Sequence, residues 1–238
     1  MDVIAVLACV VVACCVLRTP IMKAPAVLYL LAFVLDILFI AGWAGVLPQS
    51  VWGVLLLLVR RCLLAFSLLA VVMFVGVLPR GSKARAWLGA IRAELSVAAC
   101  IVLIGHVAFY AASYLPRLAA GAGAAILLGI VAAIALVVLA LVLGVTSLRA
   151  VKARMDAQVW RRIQRFAYAF YALIYVHVLA MLLPSALKGG EAALQSVVVY
   201  TVVFAAYAIL RIWRAFADRR AELSDAFERR DSSGEAVA

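Results

Sequence analysis

The chain has 238 residues, 69% of them apolar and 14% charged, with a net charge of +11 and a mean hydropathy of +1.20. Soluble domains are about half apolar, so this composition excludes an ordinary soluble protein. The positive charge is confined to a few loops and reads as topology signal and contact with anionic lipid headgroups, not as a nucleic-acid surface. The alternating strands of a membrane barrel are absent. The expected fold is therefore all-α: a polytopic transmembrane helical bundle of six to seven spans, forming a single transmembrane domain over residues 1–238 with a charged cytoplasmic tail at 214–238.

A bilayer core about 30 Å thick needs roughly 20 apolar residues per helix. Val3 to Leu17 is short for a crossing and is closed by Arg18 and Lys23. The second span, about Ala26 to Leu47, carries Asp36 in its middle, and an acid at that depth is costly and faces the bundle interior. The third span is interrupted. Its apolar run from Val51 is broken by Arg60-Arg61 and resumes from Cys62 to Leu78, which makes Val51 to Val59 an interfacial or slightly protruding segment.

The fourth span, about Arg92 to Leu115, carries His106 and is ended by Pro116 and Arg117. The fifth, about Gly121 to Ser147, has glycines at 121, 123, 129 and 144 that permit close helix approach. The sixth, entered through a basic cluster that ends at Arg165, carries His177 and stops at Leu183-Pro184. The seventh runs from about Ala192 to Trp213 and leads into the tail, where DRRAELSDAFERRD fits a short amphipathic helix.

Five cysteines, at 9, 14, 15, 62 and 100, all lie in apolar stretches and read as small packing residues. No CxxC or CxxCH is present. No basic residue precedes the first apolar run, so a cleaved leader is not expected.

The loops after spans one, three and five and the C-terminus, Arg211 counted with it, hold two, four, six and six Lys/Arg, against one each after spans four and six. The positive-inside rule then puts the C-terminus in the cytoplasm and, with seven spans, the N-terminus outside a cell inner (plasma) membrane. Arg60 and Arg61 break the rule. A basic pair on the outer side requires either a local anionic partner or a different course for span three.

The two histidines, His106 and His177, are the only ones in the chain. His106 lies 14 residues beyond Arg92 and His177 12 beyond Arg165, about 21 and 18 Å of helix at 1.5 Å per residue. Both helices start from the same face, so the imidazoles reach matched depth in the outer half of the membrane. Neutral imidazole is a haem-iron ligand, and the pair is expected to be the two axial ligands of one b-type haem. The plainer reading makes each a buried polar residue hydrogen-bonded to a neighbouring helix. Small residues near His106 (Ala98, Ala99, Gly105, Ala108) suit a flat ring. Arg60 and Arg61 lie in the same half and are candidate partners for haem propionates. The tyrosines at 110, 114, 168, 171 and 175 read as packing or interface residues.

Two stretches, IRAELSVAACIVLIGHVAFY (91–110) and TSLRAVKARMDAQVWRRIQRFAYAFYALIYVH (146–177), resemble the ferric reductase-like transmembrane domain family. That family includes the membrane haem subunit of the periplasmic methionine sulfoxide reductase system and the transmembrane domain of NADPH oxidases. The likeness is centred on residues 74–183, within a ferric reductase-like region of about 26–213. Four-histidine members carry two stacked haems on histidine pairs 14 and 13 residues apart. Here those inner positions are Arg92 and Gln164, which ligate iron poorly. The resemblance therefore implies an outer haem only, and Arg92 and Gln164 become candidates to frame a quinone or FMN.

The family's fused NAD(P)H/FAD domain has no counterpart in the short tail. The resemblance thus implies an oxidoreductase component, a haem b electron-transfer subunit that takes electrons from quinol or a flavoprotein and passes them to an extracytoplasmic reductase or acceptor. The competing expectation is a small non-redox transporter or scaffold in which Asp36, His106 and His177 form a polar pathway.

Overall fold

The computed structural model describes residues 2–119, 121 and 123–234. Among them every regular element is helical: α1 Asp2–Val16, α2 Arg18–Lys23, α3 Pro25–Trp43, α4 Gln49–Leu55 prolonged by a π turn at Leu56–Arg60, α5 Leu63–Val75, α6 Lys83–Gly89, α7 Arg92–Ala119, α8 Ala124–Ser147, α9 Arg149–Lys152, α10 Ala157–Gln164, α11 Phe166–Leu187 and α12 Glu191–Gly234. The protein is an all-α polytopic helical bundle. Five helical stretches are long and apolar enough to cross a membrane, and the pair α4–α5, bent by 41° at the break between them, brings the number to six when counted as one span. At 15 residues α1 falls short of that length.

Large apolar side chains such as Leu30, Ile37, Leu128, Ile134, Leu141 and Val202 point outward. An outward apolar surface is stable only against lipid, so the bilayer is this protein's solvent. The core sits on α5, whose residues from Leu63 to Val75 are almost all buried. α1 and α7 pack along it. α12 closes another side through Phe66–Tyr200 and Phe74–Tyr207 ring contacts at 4.9 and 5.6 Å. α1 runs alongside α5 through the same thickness. Its first residue, Asp2, meets Arg61 just before α5, and the Cys15 carbonyl near its other end accepts from the Trp87 indole in α6.

Three boundaries differ from the sequence reading. α7 continues through Pro116 to Ala119 and α11 through Pro184 to Leu187. A proline this close to a helix end disturbs only the last turn, which a polar, water-accessible end tolerates. The segment from Val51 to Val59 does not protrude. It is helix packed back on α3, with Trp52 stacked on Phe39 at 5.3 Å and seated against Gly42.

Side-chain bonds tie the polar loops to one end of the bundle. Glu94, only 3% exposed, accepts from Arg149 Nε at 2.9 Å, joining the start of α7 to α9. Trp160 donates to the Thr146 carbonyl and Gln164 to the Thr146 hydroxyl, both at 3.0 Å, fixing α10 on the end of α8. Asp156 caps α10 by accepting from the main-chain N–H groups of Gln158 and Val159 at 2.8 and 3.0 Å. Those two bonds stabilise its carboxylate and hold its pKa below the usual range.

Candidate functional site

The site begins with the break in the third span. From Leu56 the backbone leaves the α pattern, and Arg61 N–H bonds to the Leu56 carbonyl, one residue further back than an α-helix requires. Cys62 then takes a left-handed conformation, φ 58° and ψ 21°, the one positive-φ non-glycine residue described. An L-residue there costs on the order of 1 kcal/mol. The result is an Arg60 carbonyl with no helical donor. His106 takes it: its Nδ1 lies 2.8 Å from the Arg60 oxygen.

His177 is seated by other means. Its Nδ1 lies 2.9 Å from the Gly129 carbonyl on α8. The close approach there depends on the missing side chain, because a Cβ on Gly129 would collide with Met181, one turn beyond His177 on α11. A carbonyl only accepts, so both imidazoles carry their proton on Nδ1 and leave the Nε2 lone pair free. Metal-ligating histidines characteristically donate their other ring N–H to a carbonyl or carboxylate, which orients the ring and raises its basicity. The donor set therefore fits a bis-histidine iron centre.

α8 packs against both α7 and α11, while those two share almost no direct packing. The imidazoles are only partly buried. Above them, at the far ends of α7, α8 and α11, is an open cavity of about 520 Å³ lined by Tyr114, Ile126, Met181, Pro184 and Lys188. A face of α7 leads from the site to that cavity: His106 and Tyr110 have ring centroids 4.9 Å apart, and Tyr110 and Tyr114 5.8 Å. Tyr171 packs on Phe204, Tyr175 bonds to Thr201 and Tyr168 to Arg211, so these three fasten α11 to α12.

Arg60 and Arg61 stand at the depth of His106. The Arg60 guanidinium lies over Phe109 at 4.9 Å, and Arg61 pairs with Asp2 at 3.0 Å. The rule-breaking pair thus has both a local anion and a broken span. The small residues of α7 are used differently from the sequence reading. Ala98 and Ala99 are packed in the core, and Gly105 admits its neighbours: a Cβ there would lie 2.7 Å from Asp36 Oδ1 and 2.8 Å from Val59 Cγ1. They serve helix packing, and the room between α7 and α11 comes from α8. Asp36 does face the interior, 5% exposed, and neither carboxylate oxygen has a protein partner.

Arg92 and Gln164 line one cavity, 14 and 13 residues before His106 and His177 along the chain. Of the four α8-region glycines, Gly129 and Gly144 make close approaches, the latter to Cys100; Gly121 and Gly123 meet nothing. No three His, Cys, Asp or Glu side chains gather into a metal cluster among the described residues. The feature that sequence reasoning missed is the pair of main-chain acceptors, and its one outward signal was the Arg60-Arg61 interruption.

No family model matches the chain, and no solved structure matches it. It is 36% identical over 220 residues to an uncharacterized protein of Treponema pallidum (strain Nichols), across 90% of this chain and 61% of that relative. The chain thus spans about three fifths of the relative's length.

Proposed function

We propose that the protein is a membrane electron-transfer subunit that holds one haem b between His106 and His177. The observation carrying this reading is the matched pair of seats: each Nδ1–H is used by a main-chain carbonyl, and each Nε2 is left free for iron. Haem, when bound, supplies one-electron redox chemistry between donor and acceptor. The chain supplies everything else. The carbonyls of Arg60 and Gly129 fix both tautomers, α8 spaces the two ligand helices, and Arg60 and Arg61 stand ready as cations for propionates, Arg61 at the expense of its bond to Asp2.

The reading extends to direction. Electrons enter at the end of the bundle holding Arg92 and Gln164, from quinol or a flavoprotein, with a quinone or FMN docked at the rim of that cavity and not enclosed by it. They leave toward an extracytoplasmic reductase at the end holding the open cavity. The C-terminus is then cytoplasmic and the N-terminus outside an inner membrane, and the chain acts as a ferric reductase-like oxidoreductase component.

The test is an optical spectrum of purified protein, oxidised and dithionite-reduced, with a pyridine haemochrome. The expected result is a b-type spectrum at one haem per chain, abolished by His106→Ala and by His177→Ala. A colourless protein from haem-replete cells would overturn the reading. It would leave the alternative favoured by the unpartnered Asp36 beside Gly105: a non-redox transporter or scaffold with a polar pathway through Asp36, His106 and His177.

A further inference from the structure

The cavity at the other end of the bundle, about 170 Å³, lies where α5 ends, α7 and α11 begin and α12 passes. Its lining includes four guanidinium groups, from Arg80, Arg85, Arg92 and Arg211, and a single carboxylate, Asp218. That carboxylate is shared, lying 3.3 Å from Arg80 and 2.6 Å from Arg214. Arg211 donates to the Tyr168 hydroxyl at 2.7 Å, and Arg85 to the Leu78 carbonyl at 3.0 Å, so both are held in place by neutral groups. The Arg92 guanidinium has neither a hydrogen bond nor an ion pair among the described residues; its carbonyl accepts from the Ser96 hydroxyl at 3.0 Å. The lining therefore carries three more positive than negative charges, and the one further carboxylate beside it among the described residues is Glu222, 3.4 Å from the exposed Arg80.

We infer that this cavity is a phosphate-binding site, with Arg80, Arg85, Arg92 and Arg211 as its ligands and Asp218 as an internal carboxylate occupying part of the anion's place. Guanidinium is planar, permanently charged and forked, and it pairs with phosphate oxygens two at a time. The hydroxyl of Tyr168 adds a neutral anchor beside Arg211. The volume is below the 300–1,000 Å³ usual for whole organic ligands and suits a phosphate group entering from the rim. Two sources present that chemistry: the headgroup of an anionic phospholipid, and a soluble phosphate or phosphomonoester. The site is independent of haem, because it uses none of the residues around His106 and His177.

Asp218 makes the inference sharp. As an internal competitor it opposes binding, so removing its charge strengthens the site, an outcome that a merely damaged fold does not give. The experiment uses the full-length protein in two arms. One follows thermal unfolding in detergent against inorganic phosphate, with chloride at matched ionic strength as control. The other uses native mass spectrometry to count phospholipids retained from nanodiscs of phosphatidylglycerol or of phosphatidylcholine.

Stabilisation by phosphate but not chloride identifies a soluble ligand, and selective retention of phosphatidylglycerol identifies a lipid; either supports the site. Arg92→Gln and Arg211→Gln should each weaken the positive arm about tenfold, while Asp218→Asn strengthens it several-fold. The haem content of all three variants should equal that of the unaltered chain. No phosphate effect together with no lipid preference overturns the inference, and so does an Asp218→Asn variant that binds more weakly.

Discussion

His106 and His177 make the same hydrogen bond to two different kinds of backbone. The acceptor for His106 is the Arg60 carbonyl, freed by a π turn and a left-handed Cys62 in a span bent by 41°. The acceptor for His177 is the Gly129 carbonyl in an uninterrupted α8, and it is offered as a second lone pair on an oxygen already inside a helix. One seat is thus made by breaking a helix and the other by bringing an intact helix close. In a bilayer every main-chain polar group must find a partner. A break inside a span therefore survives only where a side chain takes up the loose carbonyl, and His106 does so. His177 repairs nothing; it exploits a contact that a glycine permits.

That contrast is broken most severely at Gly129. Gly129→Leu inserts a side chain where even a Cβ meets Met181, so α11 must move off α8. The expected outcome is loss of the His177 seat, with haem per chain falling to background and unfolding destabilised by about 1–3 kcal/mol or more. Full haem content in a folded Gly129→Leu protein would show that the Gly129 carbonyl is dispensable.

Gly105→Ala comes next. It sets a methyl 2.7 Å from Asp36 Oδ1 and 2.8 Å from Val59 Cγ1, beside the His106 seat. A cost of about 1–3 kcal/mol in detergent unfolding is expected, with part of it recovered in the Gly105→Ala/Asp36→Ala double variant because the two share one volume. Strict additivity of the two changes would deny that Asp36 is the neighbour that matters.

Cys62→Gly tests the strain behind the His106 seat directly. Glycine adopts φ 58° without the Cβ penalty but adds freedom to the unfolded chain. The variant should be more stable by at most ~1 kcal/mol, with haem content unchanged. A loss of haem would mean that the thiol, not the backbone, shapes the break.

The residues carrying the matched depth of the histidines, the interior Asp36 and the anomaly at Arg60-Arg61 were all legible in the sequence, because cost in lipid marks polar groups wherever they stand. The packing role of the apolar helices was not. α5 and α8 are similarly apolar, yet α5 is buried on all sides while α8 turns Leu128, Val131, Ile134 and Leu141 to lipid. Lipid tails are as apolar as leucine, so the amphipathic stripe that orients a soluble helix has no counterpart here. The two main-chain acceptors were equally hidden. A carbonyl is present at every residue, and only the folded backbone decides which one is left over. Ala98, Ala99 and Gly105 misled for the same reason: small residues permit close approach without naming what approaches.

The smallest expected effect lies outside the membrane, on the connection that delivers α11. Asp156 caps α10 through two main-chain N–H bonds, which hold its pKa below the ordinary carboxylate value of about 3.9. A depressed folded-state pKa means that the cap's stabilisation is fully present above the unfolded value and is lost as pH falls through the folded one. Asp156→Ala should therefore unfold at a lower temperature than the parent chain at pH 7, and the gap should close as the pH is taken below that range. The histidine seats are built by α7, α8, α11 and the Arg60 break, not by α10, so haem content should stay the same in this variant at neutral pH. A gap that persists unchanged at low pH would show that Asp156 acts through something other than its charge.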